Sequence, residues 1–182
     1  MTFTPVACAT GYGNYVGHTY TEAGFTLFTG GVHSPGFATW CADASDYAGP
    51  GLFIDFPGET ALLTKSGGGT FSIHVIELAH LHSGQYPAQS FTFTGSLATG
   101  GTVSQTFTIG DQAEKTLFQP FVFDASWTNL SSVTFASQDF PYYQFTNILL
   151  DGATTVPEPT SMALLATGLI ALMPMVRRRL SK

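Results

Sequence analysis

Two stretches decide the fold: Ser90-Phe91-Thr92-Phe93-Thr94-Gly95 and Thr102-Val103-Ser104-Gln105-Thr106-Phe107-Thr108-Ile109. In both, apolar side chains recur at every second position with Thr or Ser between them. A period of two places Phe91 and Phe93, and likewise Val103, Phe107 and Ile109, on one face and the hydroxyls on the other. Gly100-Gly101 turns the chain between them, and Gly110-Asp111 makes the next turn. This is the signature of antiparallel strands with one buried and one solvated face.

The same pattern recurs on either side. Phe25–Phe28 is a short strand closed by Gly30-Gly31, and Ser66-Gly67-Gly68-Gly69 leads into the long run Thr70–Ala79. There Phe71, Ile73 and Val75 fall on one face, with Ile76 and Leu78 on the other. Leu117–Asp124 carries Phe118, Phe121 and Phe123, and Val133 pairs with Phe135. The last strand places Tyr143, Phe145 and Leu149 on one face with Ile148 opposite. About eight strands with Gly, Pro, Asn and Asp breaks predict an all-β, jelly-roll-like two-sheet sandwich over residues 20–151, a barrel being the alternative. Sixteen phenylalanines suffice to fill the space between two sheets.

Composition narrows the function. Charged residues make up 10% of 182 residues, so the polar surface must come largely from Thr, Ser, Gly, Gln and Asn, which suits an exported β-domain. Before Arg177 two lysines stand against twelve carboxylates, a balance that excludes nucleic acid as partner.

The C-terminus reads differently. Residues 152–160 form a stiff linker in which Pro157 and Pro159 disfavour helix and sheet. From Ser161 an uncharged run, Met162–Val176, carries Met162, Leu164, Leu165, Leu169, Ile170, Leu172 and Val176 as its large apolar residues, and Arg177, Arg178 and Arg179 close it. Its helical length of about 22 Å falls short of the roughly 30 Å hydrocarbon core, a gap that snorkelling arginines partly close. Residues 161–182 are therefore expected to form a single transmembrane helix and basic tail, with the C-terminus in the cytoplasm and the body outside.

Val156-Pro157-Glu158-Pro159, an apolar span and a terminal arginine cluster together resemble a PEP-CTERM sorting signal. The resemblance covers about the last 27 residues. It implies a Gram-negative bacterium making extracellular polysaccharide, a precursor in the inner membrane, and an exosortase as partner. That membrane-embedded cysteine protease-transpeptidase would read Pro157, Glu158 and Pro159 and pass the body to the cell envelope or extracellular matrix. The motif is a substrate's and implies no catalysis by this chain. The body also resembles the β-sandwiches often joined to this tail, through Tyr20-x-x-x-Gly24-Phe25, the Phe-Thr-Gly and Phe-Thr-Ile strands and Phe145-Thr-Asn-Ile148. These are similar to carbohydrate-binding-module jelly rolls. Many such bodies read Phe-Asp-Asn-Ile at the last position; Thr146 here puts in doubt the structural calcium ion that an Asp would ligate.

Residues 1–19 read as a leader remnant or a disordered N-terminus. Ala7-Cys8-Ala9 has the form of a signal-peptidase site, which places the true start upstream. Removal after Ala9 would take Cys8 and leave Cys41 alone, so this reading competes with a Cys8–Cys41 disulfide and is preferred to it.

Catalytic signatures are sparse. No nucleophile elbow or phosphate loop occurs, and Gly11-Tyr12-Gly13 reads as a turn. His74, His80 and His82 lack a recognised zinc spacing, so no cofactor or metal is expected. Asp43-x-x-Asp46 offers at most a structural calcium site. Glu77 with Asp43, Asp46 or Asp55 would serve glycoside hydrolysis only if two carboxylates faced one cleft. Trp40, Trp127, Tyr142 and Tyr143 are the candidate glycan-binding residues, because aromatic rings stack on the C–H face of a pyranose. The outward Thr92, Thr94, Thr102, Thr106 and Thr108 are the ordinary dress of an exported sheet. The reading is a non-enzymatic envelope or matrix protein, with a polysaccharide-binding module and a glycoside-active enzyme as alternatives.

Overall fold

The computed structural model describes residues 1–30, 36–54, 59–82, 87–110, 117–137 and 143–151. The sorting tail and Tyr142 lie outside them. Twelve strands occur among the described residues: β1 Gly13–Gly17, β2 Thr19–Glu22, β3 Phe25–Thr29, β4 Phe37–Trp40, β5 Leu52–Ile54, β6 Ala61–Lys65, β7 Ser72–His80, β8 Gln89–Leu97, β9 Thr102–Ile109, β10 Gln119–Val122, β11 Leu130–Ser137 and β12 Tyr143–Asp151. The helical content there is a single 3-10 turn at Thr4–Val6.

The strands form two six-stranded antiparallel sheets. The first runs β1-β4-β5-β12-β7-β10 and the second β2-β3-β6-β11-β8-β9. The all-β two-sheet sandwich expected from the alternating stretches is the fold. Its core is aromatic: Phe135 meets Phe145 edge-on at 5.2 Å across the two sheets, and Phe91 meets Tyr143 at 4.4 Å. Each such ring buried contributes about 1.5–3 kcal/mol by the area it removes from water.

The outer face of the second sheet is rich in hydroxyls. One cross-strand row reads Thr21, Thr26, Thr64, Ser132, Ser96 and Thr102, an unbroken line of hydroxyls over six strands. Further hydroxyls lie beside it, with Thr92 bonded to Thr106 and Ser90 to Thr108, each at 2.9 Å.

Three expectations are corrected. Residues 1–19 are neither disordered nor detached. Phe3 is fully buried against Tyr20 and Phe145, and residues 13–17 form the edge strand β1. Of the two competing readings at Cys8, the structure holds the disulfide. Cys8, the centre of the signal-peptidase-like triplet, is bonded to Cys41. Small residues fit a cleavage site and a tight crossing between chain segments equally well, so the triplet alone did not discriminate. The third correction concerns the last strand. A bulge at Asn147, whose φ of 46° is left-handed, shifts the alternation by one. Ile148 therefore enters the core and Leu149 is exposed, the reverse of the strict period. β7 shows the same break in alternation: Ile73, Ile76 and Leu78 all join the core.

Candidate functional site

The aromatic candidates separate by burial. Trp127 is 1% exposed and packs against Phe123 at 4.6 Å. Tyr143 is 3% exposed, and burial drives its phenol pKa strongly upward. Both are core residues, which corrects their reading as glycan platforms. Tyr142 lies outside the described residues. Of the three candidates among the described residues, Trp40 borders a surface cleft.

That cleft lies on the outer face of the first sheet. Gly13 pairs with Trp40, and Tyr15 with Ala38, in the β1–β4 ladder; Ala38 pairs in turn with Phe53. Directly opposed residues share a face, so Tyr15, Ala38, Trp40 and Phe53 point the same way. Tyr12, just before β1, packs edge-on against Trp40 at 4.8 Å and 75°. Trp40 is fixed from below: its indole N–H donates to the Leu81 carbonyl at 3.0 Å, and its ring lies 4.8 Å from that of Phe53. The next residue, Cys41, carries the disulfide. The resulting cleft of about 240 Å³ is walled by Tyr12 and Tyr15, which are 64% and 61% exposed, and floored by Ala38, Trp40 and Phe53. Asn14 completes the described lining, and none of the described lining residues is charged. Tyr12 and Tyr15 were missed in the sequence because Gly11-Tyr12-Gly13 reads as a turn. Alternation of Gly13 and Tyr15 with Asn14 was the available signal.

A second depression, of about 520 Å³, lies where Thr2, Pro50, Phe118, Thr146 and Asn147 surround Glu77. Asn147 donates to the Glu77 carboxylate at 2.8 Å, and Thr146 donates to the Pro50 carbonyl at 2.7 Å. Among the described residues lining it, Glu77 is the single carboxylate.

Asp55 lies outside the described residues, and the remaining described polar candidates do not converge. His74 contacts Asp151 at 2.6 Å. His80 is buried between Gln89 and the Gly110 carbonyl, and His82 contacts Asp46 at 3.2 Å. Asp43 accepts from the Gly11 amide, whereas the Asp46 carbonyl accepts from Gln144, so both fasten the 41–51 segment to its surroundings. No group of three or more His, Cys, Asp or Glu side chains suited to a metal occurs among the described residues. None of the helices there is long and apolar enough to cross a membrane; the Met162–Val176 run lies outside them.

Comparison with known proteins bears on the tail. Residues 155–179 match the family model described as the PEP-CTERM protein-sorting motif. The match takes in Pro157, Glu158 and Pro159, the apolar run and Arg177–Arg179. The chain therefore carries the signal of a secreted protein that is membrane-anchored before exosortase processing. No curated protein matches the chain. Among solved structures, the enzymatically active domain of bacteriophage CBA120 tailspike protein 4 is similar at 12% identity and a TM-score of 0.37. The likeness covers 75% of this chain and 20% of that one, too slight to carry function.

Proposed function

We propose that this is a non-enzymatic protein of the cell envelope or extracellular matrix, delivered there by exosortase processing of its tail. The observation that carries the reading is the sorting motif at residues 155–179, placed after a complete sandwich. In the precursor, Met162–Val176 spans the inner membrane and Arg177–Arg179 hold the C-terminus in the cytoplasm, leaving the sandwich outside. The Cys8–Cys41 bond supports export independently, because such bonds persist in oxidising compartments.

The test is to express the full chain behind a secretory leader in a Gram-negative host with and without an exosortase, and to fix the mature C-terminus by mass spectrometry. The expected product with the enzyme lacks the arginine cluster. Changing Pro157, Glu158 and Pro159 together to Ala should restore the full-length, membrane-bound form. An intact C-terminus in both hosts would end the reading. Polysaccharide binding is the second function considered, and the Tyr12–Trp40 cleft is the observation that favours it.

A further inference from the structure

We infer that the Tyr12–Tyr15 cleft binds one ring of a neutral pyranose-containing glycan. The inference deepens the reading above, since it names what an exported body would hold. Its chemistry follows from the lining. Two exposed tyrosines and an apolar floor of Ala38, Trp40 and Phe53 call for a ligand with an apolar face. The phenol groups that tyrosines carry donate and accept hydrogen bonds, which suits a ligand with hydroxyls at its edge. No described lining residue carries a charge, so an ionic ligand would lose hydration there with no described side chain to replace it. A pyranose has an apolar C–H face and a hydroxyl edge, and needs no counter-charge.

Size agrees. The volume of about 240 Å³ suits a single hexose ring; it lies below the roughly 300–1,000 Å³ of pockets that enclose drug-sized ligands. An extended polymer would seat one unit and run on across the surface. The site is also held in shape before any ligand arrives. Trp40 is pinned by the Leu81 carbonyl and by Phe53, and the disulfide ties the chain leading into Tyr12 to the end of β4. Gly13, opposite Trp40, leaves the space between the tyrosines clear of a side chain.

Position agrees as well. The cleft lies near the His80 end of β7, where Leu81 accepts the Trp40 bond, whereas Asp151, which leads to the tail, pairs with Ser72 at the other end. Nine residues of strand, about 27 Å, separate the two. A body held by its C-terminus would keep this cleft away from the attachment point.

The test uses the full chain in phosphatidylcholine vesicles. It is titrated with neutral glucan, mannan and galactan oligosaccharides, a polyuronate and a proline-rich peptide, and binding is followed by calorimetry. At least one neutral oligosaccharide should bind with little dependence on salt. Tyr12→Ala and Tyr15→Ala should each weaken it about tenfold or more, as truncation of an aromatic anchor does. Tyr15→Phe should retain most of the binding, and the unfolding midpoint of each variant reports its folding. Binding of the polyuronate alone, of the peptide alone, or of nothing in the panel would overturn the inference. So would neutral-sugar binding that survives both alanine variants. None of these results touches tail cleavage, which is read from the mass of the C-terminus.

Discussion

Trp127 fills the space that a side chain at Gly95 would need. A Cβ on Gly95 would sit 2.7 Å from Leu130, 3.0 Å from Val103 and 3.1 Å from the Trp127 ring. Gly95 faces inward on β8 in step with Phe91 and Phe93, and its missing side chain leaves a socket for the indole. Gly95→Ala should lower stability by about 1–3 kcal/mol through overpacking. Trp127→Ala should cost about 3–5 kcal/mol by leaving a cavity. Chemical denaturation of both variants checks this; a neutral Gly95→Ala would mean the indole has room to move.

The disulfide closes a loop between residues 33 apart, for which chain-entropy arguments give a stabilisation of about 3–4 kcal/mol. Cys41→Ser, or reduction of the native chain, should lower the unfolding midpoint and leave β1 the first strand to lose amide-exchange protection. Hydrogen exchange with mass spectrometry, oxidised against reduced, reads both effects. Equal protection of residues 12–17 in the two states would contradict the prediction.

Glu22 anchors the N-terminal segment. Burial pushes its carboxyl pKa up, but hydrogen bonds from the Thr2 and Phe3 amides and the Thr2 hydroxyl outweigh that and hold it below the usual 4.5. A depressed carboxyl in the folded state contributes stability that is present above the unfolded value and is lost as pH falls through the folded one. Stability should therefore decline as pH drops below about 4.5, and Glu22→Gln should flatten that part of the acid limb. The same carboxylate, with burial, pushes Tyr20 up to about 12, burial being the larger cause. Unfolding midpoints across the acid range, wild type against Glu22→Gln, decide the matter; parallel curves would count against it.

The sandwich was legible where the period of two was unbroken. β8 and β9 follow the alternation of their sequence, because Phe91, Phe93, Phe107 and Ile109 enter the core while the Thr and Ser residues between them face outward. The shorter β4 and β5 carry no period of two. They lie inside the first sheet and are buried throughout, so neither shows alternation. The Asn147 bulge was invisible, since Asn in a strand does not announce a left-handed residue. Site residues fared by the same logic. Trp40, Trp127 and Tyr143 are alike as letters, and only the packing of distant strands separates a floor from a core. The tail was the clearer message, because three ordered features within 25 residues need no tertiary context.

The six-hydroxyl row from Thr21 to Thr102 sets how this molecule meets its surroundings. Repulsion between ionic surfaces reaches about 30 Å in dilute electrolyte and about 3 Å in brine. Wetting by uncharged hydroxyls has no such dependence. Along that row, hydration therefore holds in fresh and brackish media alike.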